Sequence, residues 1–171
     1  MTSFKRARRD PVESAIEVNR WVWGSRPHFS RFLRLSNARS KHALRPERLR
    51  RSGSATVRPV VRMLAHRLDF STVGKAMIVT AASELARNTI VHGAGGEVVW
   101  TILHDENRRG LQLAFQDHGP GIVDLKLAMT DGWTSAGGLG LGLPGAKRLV
   151  HKFRIDSVIG GGTRVVVVRW R

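Results

Sequence analysis

Residues 111–122 read LQLAFQDHGPGI. Leu111, Leu113 and Phe115 alternate with Gln112, Ala114 and Gln116, the period of two expected of a strand with one apolar face. Asp117 falls in phase with the apolar set at the strand's end, so its carboxylate points inward. A buried carboxylate demands hydrogen-bond donors in return, and the exocyclic amino group of a purine is one such donor. Gly119 and Gly121 stand two apart in the HGPG that follows, where the lack of side chains lets backbone approach a planar ligand. A turn that merely requires Asp, Gly and Pro has the same composition.

Reading outward, EVVWTIL at 97–103 precedes this strand across the polar HDENRRG, which predicts an antiparallel hairpin. Downstream, VDLKLAMTD at 123–131 predicts a short helix. The Gly-rich loop GWTSAGGLGLGL comes next, then a helix over PGAKRLVHKF with Pro144 at its start. RIDSVI, the turn GGGT and RVVVVRW predict a second hairpin. Upstream, Val57, Val60, Val61, Leu64, Ala65 and Leu68 recur at helical spacing, with Pro59 expected near the first turn. Ser71 is placed to cap a second helix that runs to a stop at Gly93. The expected fold class is α+β, a two-layer sandwich with helices on one face of a mostly antiparallel sheet.

Two further polar features stand out. Glu84 and Asn88 on the second helix are spaced i, i+4, so they share a face, near Met77, Ala81 and Val91. The amide can ligate Mg²⁺ and the carboxylate can accept a proton from, or orient, an attacking hydroxyl; a solvent-facing polar stripe would look the same. Gly137, Gly138, Gly140 and Gly142, followed by Lys147 and Arg148, can wrap phosphates with exposed N–H groups ahead of a helix N-terminus; a flexible linker is the alternative. No GxxxxGK[ST] arrangement is present, and no parallel βαβ unit leads into these glycines.

Composition bounds the rest. The 171 residues carry 29 Lys+Arg, 13 Asp+Glu and no cysteine, which removes disulfides, thiolate metal sites and cysteine nucleophiles. No apolar run approaches the ~18–20 residues of a membrane span, and the basic start lacks an apolar signal region; a soluble, cytoplasmic protein is expected. Residues 1–52 hold 14 Lys+Arg against 4 Asp+Glu, a net +10, and the remainder holds 15 against 9. Residues 1–53, with Trp21, Trp23, Phe29 and Phe32 among the arginines, are read as a mostly unstructured arm and 54–171 as the folded domain. Such an arm can grip nucleic acid or another polyanion, can be a solvated extension, or can lie upstream of the native start.

The four motifs occur in a specific order: ELxxN from Glu84 to Asn88, DxGxG from Asp117 to Gly121, GxGxG from Gly138 to Gly142, and GGGT from Gly160 to Thr163. This set resembles the ATPase superfamily shared by DNA gyrase, the ninety-kilodalton heat-shock chaperone, histidine kinases and mismatch-repair ATPases. Within it, SELARN, DHGPGI, DGWTSAGGLGLGLPGAKRLV and GGGTRV are similar to the bacterial anti-sigma regulatory serine kinases, particularly the stressosome switch kinases. The resemblance covers residues 54–171, and no counterpart of the family's first strand is read in RPERLRRSGS. It implies ATP and Mg²⁺ as cofactors and a Gly-rich ATP lid. Asn88 would ligate the metal and Glu84 would act as general base or orienting group toward a substrate serine. Asp117 would accept from the adenine amino group with Thr163 in support, and Gly119 and Gly121 would shape the adenine pocket. Gly138, Gly140 and Gly142 would close the lid, with Lys147 and Arg148 near the phosphates and His92 a structural histidine. The implied substrate is a STAS-type antagonist protein, with a downstream phosphatase as a further partner. A nucleotide-gated anti-sigma factor that sequesters a sigma subunit is the alternative reading.

Overall fold

The computed structural model describes residues 39–43, 47–49, 54–105, 107–130 and 142–171. In chain order they form β1 (Arg39–Ala43), β2 (Glu47–Leu49), α1 (Ser54–Arg67), α2 (Thr72–Val91), β3 (Gly96–Asp105), β4 (Arg108–Asp117), α3 (Leu125–Ala128), α4 (Gly142–Arg148), β5 (Lys152–Val158) and β6 (Gly162–Trp170).

Local chemistry sets the helix boundaries. The N–H of Phe70 reaches the Ala65 carbonyl and that of Asp69 the His66 carbonyl, both at 3.0 Å, while Asp69 takes φ 56°. This is the doubly bonded helix stop that usually carries glycine; aspartate is one of the few other residues that tolerate it. Ser71 then caps α2 as predicted, its Oγ accepting from the Gly74 N–H at 3.0 Å. Pro59 is not in the first turn: α1 begins at Ser54 and carries the proline inside it. The helix therefore runs past a position that supplies no N–H donor.

The two predicted hairpins, β3–β4 and β5–β6, are joined by antiparallel pairing of β4 with β6, in a sheet ordered β1-β3-β4-β6-β5. Phe115 pairs with Val165 and Gly110 with Trp170. One face buries Val98, Trp100, Leu113, Phe115, Val165 and Val167 against Val57, Val61 and Leu64 of α1 and Ile78, Ala82 and Leu85 of α2. That is the α+β sandwich with helices on one face.

Three expectations change. β1 and β2 both pair with β3, Ala43 opposite Thr101 and Glu47 opposite Val98, so the sheet extends into the segment read as an arm, and RPERLRRSGS does contain a strand. Three residues are too few to show alternation; β2 is defined by its pairing and by Leu49, which is only 1% exposed in the core. Residues 1–38 lie outside the described residues. The helix expected over PGAKRLVHKF ends at Arg148, because the His151 N–H already bonds the Val168 carbonyl of the sheet at 2.9 Å. The short helix expected over 123–131 is one turn, capped by Asp124 Oδ1 accepting from the Leu127 N–H at 2.9 Å. Leu49→Ala should cost about 2–5 kcal/mol as a core truncation, read from the denaturant midpoint; a residue of a loose arm would cost almost nothing.

Candidate active site

Asp117 is the last residue of β4 and is 7% exposed. Its Oδ1 accepts two backbone N–H groups, from Gly119 and from Thr163, each at 3.0 Å. No donor among the described residues reaches Oδ2. Burial raises the carboxyl above its ordinary range, against the lowering influence of the two N–H groups and of nearby His118 and His92.

Backbone closes around this carboxylate from three directions. A Cβ on Gly93 would fall on Asp117 Cβ and Cγ, and one on Gly162, at φ +95°, on the Asp117 carbonyl oxygen. A Cβ on Gly119 would come within 2.7 Å of Gly93 Cα, and one on Gly121, at φ +77°, would strike the Val158 carbonyl. The DHGPGI loop is also fastened to the β5–β6 turn. Ser157 Oγ accepts from the Ile122 N–H at 2.8 Å and lies 2.9 Å from Thr163 Oγ1, while the Gly160 N–H donates to the Pro120 carbonyl at 2.8 Å. Asp117, Gly119, Gly121 and Thr163, predicted from distant motifs, thus meet where β4, β6 and the end of α2 converge.

Glu84 and Asn88 stand one turn apart on α2, both half-buried, and neither side chain is engaged by a described neighbour. Of the apolar residues expected beside them, Ala81 is buried, whereas Val91 is 51% exposed. From Asn88 the helix runs directly to the pocket, since its carbonyl accepts the N–H of the C-cap His92 at 2.9 Å and the next residue is Gly93. His92 is exposed at that cap. Gly142, at φ +35°, opens α4; Gly137, Gly138 and Gly140 lie outside the described residues. Lys147 and Arg148 are exposed in the last turn of α4, at the other end of that helix from Gly142.

The sequence profile of histidine kinase-, DNA gyrase B- and HSP90-like ATPases matches residues 73–171, the stretch from α2 through β6 that builds this pocket. The chain belongs to this ATPase family. It is 42% identical over 113 residues to the serine/threonine-protein kinase RsbT of Bacillus subtilis (strain 168), covering 66% of this chain and 85% of that protein. To the anti-sigma F factor of Clostridium novyi (strain NT) it is 30% identical over 95 residues, 53% of this chain and 66% of that one. Its fold is similar to the crystal structure of the RsbU and RsbW domains of Rv1364c from Mycobacterium tuberculosis, at TM-score 0.50 and 21% identity over 74% of this chain and 33% of that one. Among the described residues no helix is long and apolar enough to cross a membrane.

Two elements of the pocket in this histidine kinase-like ATPase-family chain escape a linear reading. Ser157 lies 35 residues from the Ile122 N–H it holds, with no motif to signal it. Gly93 is legible as a helix stop, but positive φ falls instead on Ala94 and Gly95; glycine is required at 93 because Asp117 occupies the space of a side chain. Gly93→Ala should therefore lower the melting temperature by several degrees, as overpacking by about 1–3 kcal/mol does, and weaken ATP binding in the same titration series.

Proposed function

We propose that this ATPase-family chain is an ATP-dependent serine/threonine protein kinase, a partner switch in bacterial sigma-factor regulation, and that its phosphoacceptor is a serine on a STAS-type antagonist protein. The observation that carries the reading is Asp117: a buried carboxylate with one oxygen clamped by two N–H groups and the other uncommitted, ringed by glycine backbone. That oxygen suits the exocyclic amino group of adenine. Thr163, held in the same clamp, supports that end, and Gly119 and Gly121 give the flat approach the ring needs.

The phosphate end follows along α2. The residues present fit Mg²⁺ delivered with the nucleotide: Asn88 offers one unengaged carboxamide oxygen, and Mg²⁺ bound to substrate phosphates typically takes only one or two protein ligands and keeps several waters. When bound, the ion would neutralise charge that develops on the phosphates. Glu84, one turn earlier, orients the serine hydroxyl and takes its proton as the serine oxygen bonds to the γ-phosphorus and the bond to the ADP oxygen breaks. Gly138, Gly140 and Gly142 supply lid N–H groups to the triphosphate; Lys147, exposed in the last turn of α4 at the other end of that helix, is given no phosphate contact. Positioning and charge neutralisation of this kind are most of what phosphoryl transfer asks of a protein.

Partner switching with regulatory proteins accords with the 42% identity to a serine/threonine kinase over 85% of that kinase. The sequestering reading is not favoured, since the anti-sigma F factor matches less closely and over less of its length. A downstream phosphatase released or engaged by the kinase belongs to the proposal. The test is transfer of label from [γ-³²P]ATP with Mg²⁺ to candidate STAS antagonists, with phosphosite mapping. A phosphoserine on the antagonist supports the proposal; ATP binding with no transfer to any antagonist, together with capture of a sigma subunit, overturns it.

A further inference from the structure

Ser157 stands on β5 directly across from Thr163 on β6, and the Thr163 backbone N–H in turn reaches Asp117. The Ser157 hydroxyl has one proton and two lone pairs, and three neighbours compete for them. Its oxygen accepts the Ile122 N–H at 2.8 Å, which uses one lone pair. Its proton has two acceptors within reach, the Gly162 carbonyl at 3.3 Å and Thr163 Oγ1 at 2.9 Å. Only the shorter lies within the range of an O–H···O bond, about 2.5–3.0 Å. The Ser157 proton therefore goes to Thr163.

That choice fixes the polarity of the next hydroxyl. Thr163 Oγ1 accepts from Ser157, so its own proton must point elsewhere, and no acceptor among the described residues takes it. Had the Ser157 proton gone to Gly162, Thr163 would donate to Ser157 and keep only lone pairs for a ligand. The Thr163 N–H holds Oδ1 of Asp117 at 3.0 Å, and Oδ2 has no donor among the described residues. This end of the sheet thus offers an acceptor, Oδ2, and close to it a donor, the Thr163 O–H. The edge of adenine is the complement, an exocyclic amino donor next to the N1 acceptor. Guanine and hypoxanthine invert both atoms, with a carbonyl oxygen next to an N1–H.

We propose that Ser157 is a positioning residue for nucleotide selection: it donates to Thr163 Oγ1 and so makes the Thr163 hydroxyl a donor to adenine N1, directly or across one water that passes the same polarity on. The inference rests on the reading of the Asp117 pocket as an ATP site. It gives Ser157 a duty separate from fastening the DHGPGI loop, for which a lone pair on its oxygen is enough. Two hydroxyls and one carboxylate then read two adjacent atoms of the base. A purine with either atom inverted leaves a donor facing a donor or an acceptor facing an acceptor, and polar groups left unpaired in this way discriminate strongly.

The probe is 1-deaza-ATP, in which a C–H replaces the N1 acceptor, titrated by calorimetry beside ATP, both with Mg²⁺, against the full-length chain. The wild type should bind ATP about tenfold more tightly than the deaza analogue, the yield of one net hydrogen bond. Ser157→Ala should bring that ratio to about twofold or less, and Ser157→Thr, which keeps the hydroxyl, should restore it. Thr163→Val should lower the ratio as far as Ser157→Ala does, with the double change no lower than either. The ratio separates positioning from scaffolding, because a loosened loop weakens both nucleotides alike. A wild-type ratio near one overturns the proposal, and so does an unchanged ratio in Ser157→Ala; in both cases ATP binding itself leaves the proposed function standing. A wild-type chain that binds neither nucleotide overturns both. Should Ser157→Ala unfold, Ser157→Cys, close in size and only a weak donor, takes its place with the same two outcomes.

Discussion

Asp117→Asn abolishes measurable ATP binding at concentrations that saturate the wild type, while the unliganded protein at neutral pH melts no lower than the wild type. The two results have one origin. In the variant the amide oxygen must take the place of Oδ1, because only an acceptor satisfies the N–H groups of Gly119 and Thr163. The NH₂ then stands where Oδ2 stood and turns a donor toward the amino group of adenine. A charge-assisted hydrogen bond of about 1.5–3 kcal/mol is exchanged for a donor facing a donor, so affinity falls by about 100-fold or more. Isothermal titration measures it. The stability arm follows from burial, which raises the native carboxyl above its ordinary value of 3.8. At low pH both folded and unfolded chains hold the proton and the group contributes nothing. As pH climbs from that ordinary value through the raised one, the native state gives up a proton it binds more tightly than the unfolded chain does, and stability falls. Asn has no proton to lose. The melting temperature of Asp117→Asn relative to wild type should therefore rise as the pH climbs above the ordinary value of 3.8; a difference that falls instead would show that the clamp, not desolvation, governs this carboxylate.

Glu84→Gln gives the complementary result: ATP binds as in the wild type and phosphotransfer falls by about 10²–10⁴-fold, the usual contribution of a positioned general base. The side chain is half-buried and unengaged by described neighbours, so the amide replaces it without breaking a structural contact. Asn88→Ala should differ in kind, weakening ATP binding in the presence of Mg²⁺ more than in its absence. Single-turnover transfer measured beside equilibrium binding separates the two. Loss of binding in Glu84→Gln would show that this residue holds the nucleotide rather than acting on the acceptor hydroxyl.

The inward aim of Asp117 was readable from period-two alternation, and the Ser71 cap from a hydroxyl ahead of a helical pattern. Both hairpins could be seen for the same reason, since they are made of neighbours in the chain. What joins the hairpins is not local: β4 (RRGLQLAFQD) and the valine-rich β6 are apolar strands that could have paired with many partners, and only the assembled sheet selects this pairing. The strand at Glu47–Leu49 was missed because three residues carry no period. Gly93 looked like a helix stop because the sequence cannot show that a carboxylate from a strand 24 positions later fills its side-chain volume. Ser157 had no motif at all.

The clamp on Oδ1 has one more consequence. Gly119 belongs to the loop after one hairpin and Thr163 to the start of a strand 46 residues from Asp117, so one oxygen ties that loop to the start of β6 in addition to the direct β4–β6 pairing. A nucleotide that engages the other oxygen fixes the carboxylate and with it both amides. The DHGPGI loop and the β5–β6 turn are thereby restrained through one carboxylate, and a change at Asp117 is felt at both.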